Sequence, residues 1–114
     1  MVELTLENFE DEVLNSSMPV LVAFKHDNCH LCRGLNTVLW RLSYKYNERV
    51  KFAIIDSIDQ DHLTDLFEVG GVPTVFLFTN GDGREIEYPE RPSSLSGYSD
   101  NYLINFLDDV LGDE

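Results

Sequence analysis

Three short apolar runs, Val20 to Phe24, Val50 to Ile55 and Thr74 to Phe78, carry β-branched and aromatic residues with no polar alternation. A strand with one wet face alternates, so runs like these belong to strands covered on both faces. Between them the apolar residues change period. Leu31, Leu35, Val38, Leu42 and Tyr46 line one face of a long helix, and Leu63, Leu66 and Phe67 line one face of a shorter one. Strand and helix alternate, which implies a βαβ unit. After the third run, Asn80-Gly81-Asp82-Gly83 tolerates positive φ, and Arg84 to Tyr88 can return as a hairpin partner. The sheet is therefore mixed. Residues 89–100 hold two prolines, four serines and a glycine and read as a loop, before Leu103, Phe106, Leu107, Val110 and Leu111 form a closing amphipathic helix. Phe9 and Val13 suggest a first short helix, preceded by a weak strand at Val2 to Thr5. The expectation is an α/β fold: one domain over residues 1–114, with a mixed sheet of four to five strands flanked by about four helices.

A chain of 114 residues can bury a core without disulfide or metal staples. No apolar run approaches the roughly 20 residues that a membrane-spanning helix needs, so no membrane partner is expected. The N-terminus opens Met1-Val2-Glu3-Leu4, acidic and without an apolar stretch, unlike a secretory signal. This reading places the chain in the cytoplasm; the alternative is a domain excised from a secretory-pathway or periplasmic protein. The net charge of −13 repels phosphate backbones and anionic headgroups, which excludes a nucleic-acid partner. Charge is uneven, however. Residues 25–51 hold Lys25, Arg33, Arg41, Lys45, Arg49 and Lys51 against only Asp27 and Glu48. Either this is a solvated helix face, or it supports an anion near Cys29.

Cys29-His30-Leu31-Cys32 contains both cysteines of the chain and lies where an apolar strand gives way to a long helix. A C-x-x-C pair beside a βαβ pattern is the mark of a thioredoxin-like redox motif. Residues i and i+3 of a first helical turn share a face, near enough for their sulfurs to bond. The first cysteine meets unpaired N–H groups and the positive end of the helix dipole, which favour a thiolate. Cys29 is then the exposed nucleophile, and Cys32, one turn deeper, resolves the mixed disulfide. Two other readings stand beside this one. His26, Cys29, His30 and Cys32 are four metal-capable donors, but zinc sites take paired ligands from separated segments, and only His62 remains elsewhere. No metal is expected. The two cysteines could also be ordinary core residues.

Over nearly its whole length the chain resembles the thioredoxin superfamily. The residues that carry the resemblance are Val20-Leu21-Val22-Ala23-Phe24 leading to the cysteine motif, a strand ending near Asp56, Gly71-Val72-Pro73-Thr74 before the next strand, and the Asn80-Gly81 turn. The resemblance implies that Pro73 is a cis-proline beside the cysteine pair and that Val72 offers its backbone to an extended substrate segment. It also shows departures. Thioredoxins and disulfide isomerases carry a buried acid where this chain has Ala23, a lysine where it has Ile54, and a tryptophan where it has Asn28. His30-Leu31 matches neither Gly-Pro nor Gly-His. A cationic His30 would stabilise the thiolate, and His26, Asp27 or His30 could stand in for the missing base; otherwise each is a solvated loop residue. Tyr88 and Arg91 resemble a tyrosine-glycine-arginine signature of isomerase domains, one residue short and without the glycine. By that resemblance Arg91 is a candidate cation tuning the buried cysteine; otherwise it is a surface residue.

The function that follows is a thiol-disulfide oxidoreductase, a monomer with no cofactor beyond the Cys29–Cys32 disulfide. Its partners are protein thiols or disulfides and an unidentified electron donor or acceptor. The alternative is a binding or adaptor module whose cysteine pair is idle or regulatory.

Overall fold

The structure, a computed structural model, describes residues 1–112; Asp113 and Glu114, which the single-domain reading includes, lie outside the described residues. In chain order the elements are β1 (Val2–Glu3), a short helical segment (Glu10–Leu14), β2 (Val20–Lys25), α1 (His30–Lys45), β3 (Lys51–Asp56), α2 (Asp61–Leu66), β4 (Thr74–Thr79), β5 (Asp82–Ile86) and α3 (Asp100–Leu111). The segment at Glu10–Leu14 is wound in π geometry, and the Asn15 N–H donates to the Glu10 carbonyl at 2.9 Å.

All three apolar runs became strands. The sheet order is β1-β3-β2-β4-β5, with β1, β3 and β2 parallel and β4 and β5 antiparallel to their neighbours. The mixed sheet has five strands, the upper end of the expected range. The hairpin turns at Asn80 (φ 52°) and Gly81 (φ 80°), the left-handed conformations that these residues tolerate. The return strand starts earlier than expected, at Asp82, because this tight turn leaves no spare residues.

Register fixes which side chains meet. Glu3, Ile54, Ala23, Val75 and Ile86 form one row across all five strands. Ala23, Val75 and Ile86 pack with Leu35, Leu39, Leu103 and Leu107, so α1 and α3 cover this face. The opposite face holds Phe9, Phe24, Phe67, Phe76 and Phe78, with ring centroids 5.5 to 6.3 Å apart. Leu66 departs from its expected place: it is exposed, because a helix of fewer than two turns lays only the Leu63 stripe on the sheet.

Helix α3 is held at its start and along its length. The Ser99 hydroxyl accepts from the Tyr102 N–H at 3.1 Å, an N-cap. Arg41 on α1 donates twice to Asp100, at 2.8 and 2.7 Å, and the Tyr46 hydroxyl donates to Asp108 at 2.6 Å. The connection before α3 is ordered by tyrosines. Tyr98 donates to the Ile86 carbonyl, Tyr102 donates to the Glu87 carbonyl, and the Tyr88 ring meets Tyr98 edge-on.

Candidate active site

The strand β2 ends at Lys25 and α1 begins at His30, so Cys29 falls on the residue that caps the helix rather than inside its first turn. Its backbone is extended (φ −112°, ψ 109°), and its Sγ accepts from the Cys32 N–H at 3.1 Å. A serine or aspartate oxygen occupies that place in an ordinary N-cap. Negative charge on this sulfur is therefore met by a backbone donor and the positive end of α1. Cys29 is half-buried and Cys32 is 3% exposed. The two form a disulfide across a Cα–Cα distance of 5.1 Å.

The loop before β4 lies alongside. Pro73 is buried, the Val72–Pro73 peptide bond is cis, and the Val72 carbonyl oxygen is 4.0 Å from Cys29 Sγ. Thr74 holds this loop through its hydroxyl, which donates to the Gly71 carbonyl at 2.6 Å. A chain segment approaching Cys29 therefore meets a main-chain acceptor next to the sulfur.

The remaining candidates are dispersed. His26 is half-buried; its Nδ1 accepts from the Asn28 N–H at 3.2 Å. It borders two hollows, one of about 620 Å³ that Cys32 also lines, and one of about 240 Å³ shared with Ser57, Gly71 and Val72. His30 is exposed and borders a third, of about 450 Å³, together with Gly34, Arg41, Leu95 and Ser96. Arg91 is exposed and lines none of these three. Asp27 points to solvent, 3.6 Å from Lys25. Asp56, at the end of β3, accepts from the Asp59 and Ile58 amides at 3.0 Å. The Asp59 amide, then that of Ile58 and the charges of Lys25 and His26, hold its carboxyl below the usual carboxylate range.

The basic segment does not gather around the sulfurs. Arg41 is engaged by Asp100 and Lys51 by Glu12, while Lys45 and Arg49 lie over the Tyr46 ring. Only Lys25 and Arg33 of the six line the hollow beside Cys32. This is mostly a solvated helix face. Among the described residues, no group of three His, Cys, Asp or Glu side chains is arranged to hold a metal ion.

Gly34 was not singled out from the sequence, and Lys25 entered only as one of six cations of the basic segment. Lys25 follows the Val20 to Phe24 run, and the structure makes it the last residue of β2 and part of the wall of the hollow that Cys32 also lines. Gly34 reads as one small residue on a helix, yet a β-carbon there would collide with the Leu95 carbonyl oxygen. A glycine inside an amphipathic helix is itself a signal of close approach. It allows the loop of residues 93–97 to press onto α1 within a turn of the cysteines.

Comparison with known proteins agrees with this geometry. The thioredoxin family model matches residues 1–106. Probable thioredoxin-2 of Caenorhabditis elegans is 35% identical over 111 residues, covering 94% of this chain and 69% of that protein. The thioredoxin of Rickettsia bellii (strain RML369-C) is 32% identical over 104 residues, covering 91% and 92%. Mouse mitochondrial thioredoxin is 37% identical over 75 residues, 66% of this chain and 45% of its own. With the cysteine pair capping α1 on a five-stranded mixed sheet and relatives matched along nearly all its length, the chain belongs to the thioredoxin family.

Proposed function

We propose that Cys29 is the attacking thiol and Cys32 the resolving thiol of a thiol-disulfide oxidoreductase acting on protein disulfides, with Val72 and Pro73 forming the substrate wall. The observation that carries this reading is the placement of Cys29 Sγ as the N-cap acceptor of α1 while Cys32 is buried beneath it. In the reductive direction the Cys29 thiolate attacks one sulfur of a substrate disulfide, and the other substrate sulfur leaves as a thiolate. Cys32 then loses its proton and attacks Cys29 Sγ, which closes the Cys29–Cys32 bond and releases the second substrate thiolate. Two electrons pass from the pair to the substrate. The disulfide is the redox group, and an external donor must reduce it again. The Val72 carbonyl, 4.0 Å from Cys29 Sγ, accepts in this reading a main-chain N–H from an extended substrate segment.

The chain acts in this reading as one domain over residues 1–114, as a monomer without nucleic-acid or membrane partners, in the cytoplasm. No helix among the described residues is long and apolar enough to cross a membrane. His30, His26 and Arg91 enter only as modifiers. His30 is the nearest to Cys29 in sequence, and Arg91 carries no role in the reaction as drawn.

Dithiothreitol-driven reduction of insulin tests the proposal. Wild type is expected to accelerate precipitation of the insulin B chain, Cys29→Ser to abolish the acceleration, and Cys32→Ser to accumulate a mixed disulfide through Cys29. Equal rates for wild type and Cys29→Ser would overturn it in favour of an adaptor whose cysteine pair is idle.

A further inference from the structure

Resolution requires that Cys32 lose a proton, although Cys32 is 3% exposed. The row through Ala23 on the sheet face under α1 offers nothing to take it. Between its edge residue Glu3 and Ile86 the row reads Ile54, Ala23, Val75, and tyrosines aside, Ser96 is the one buried polar residue among those described. What borders Cys32 instead is the hollow of about 620 Å³ between α1 and the β1 edge. Its volume and its polar walls suit water.

Lys25 is two residues beyond Ala23 on β2 and therefore projects from the same face. Its side chain is only 27% exposed, so its charge is less screened than that of a surface lysine. Met1, which carries the α-amino group, lines the hollow as well, and the charged side chains there other than Lys25 are committed or wet. Asp27, 3.6 Å from the Lys25 ammonium, has an 89% exposed side chain, and solvent weakens that pair. Arg33 donates to the Asp27 carbonyl at 3.2 Å, and His26 Nδ1 is taken by the Asn28 N–H. Glu3 is exposed on β1; Asp56, the register partner of Lys25 on β3, is not one of the hollow's walls, and two amides hold its carboxylate.

We propose that Lys25 is the electrostatic partner of the Cys32 thiolate: Cys32 gives its proton to solvent in the hollow, and the Lys25 ammonium stabilises the sulfur anion that remains. This rests on Cys29 attacking and Cys32 resolving. Lys25 is a positioning charge that acts on Cys32, and it touches no substrate.

A two-phase reaction with one equivalent of 5,5′-dithiobis(2-nitrobenzoate) separates the steps. In the first phase the Cys29 thiolate displaces one thionitrobenzoate and retains the other as a mixed disulfide. In the second, the Cys32 thiolate attacks Cys29 Sγ, the bond to the aryl sulfur breaks, and a second thionitrobenzoate leaves with the electron pair. The wild-type second phase is expected to rise with pH along a single titration. Lys25→Met should move its midpoint up by about half a pH unit or more, and slow the phase at pH 7 about threefold. Lys25→Arg should keep the wild-type midpoint, and the first phase should be unchanged in both. Lys25→Gln, which keeps a polar end, repeats the test should Lys25→Met fold poorly. An unmoved midpoint in the neutral variants would overturn the proposal. So would a second inflection in wild type that disappears in Glu3→Gln or His26→Gln, since that would identify a side-chain base. Loss of the first phase in wild type would instead overturn the assignment of Cys29 as nucleophile.

Discussion

Gly34 lies inside α1, where helix propensity alone favours alanine over glycine by about 1 kcal/mol. Tertiary contact reverses the sign, because the alanine β-carbon would overlap the backbone of Leu95. Gly34→Ala should therefore lower stability by about 1 to 3 kcal/mol, measured from urea midpoints, and a gain would mean that the 93–97 loop yields freely. Asp100 makes a second residue-scale prediction. The hydrogen bonds from Arg41 hold its carboxyl below the usual range in the folded state. Its contribution is complete above the ordinary carboxylate value near pH ~4 and is lost as pH falls through the lower folded value. Asp100→Asn should be less stable than wild type at pH 7, with the difference shrinking as pH falls below about 4, and a gap that stays constant into acid would refute the linkage. At this scale the sequence disclosed the sulfur chemistry through the C-x-x-C spacing. It offered Lys25 only as one of six cations that could support an anion near Cys29, because whether the last residue of a strand faces a hollow depends on what packs over it.

At the scale of elements, local pattern and structure agree wherever an element is long or fully covered. The strands β2, β3 and β4 were legible as unbroken apolar runs and the helix α1 from its period, each within a residue or so. The disagreements fall on short pieces. Helix α2 was expected to bury Leu66, which is exposed, and the segment at residues 10–14 took π rather than α geometry. Neither is long enough for its own period to outweigh packing. Helix α3 depends on its cap. Ser99→Ala removes the acceptor for the Tyr102 N–H and should cost about 1 kcal/mol of stability. Ser99→Asp should retain the cap, so equal losses from both would show that another contact at Ser99 matters.

At the scale of the whole molecule, a net charge of −13 repels itself, and most of the excess lies outside the basic helix face. Stability should rise between about 10 mM and 500 mM salt as screening shortens to a few ångströms, read as an increase in the urea midpoint. A flat or falling midpoint would indicate that the ion pairs of Arg41 and Lys51 outweigh the repulsion. By itself the sequence determined the fold class and the redox pair, because both rest on local order: hydrophobic period, turn residues, and two cysteines three apart at a strand-to-helix junction. Only the tertiary structure decided what surrounds the buried sulfur. Strand register, the seating of the 93–97 loop on Gly34 and the hollow that Lys25 and Cys32 both line arise between segments far apart in the chain, where no local pattern records them.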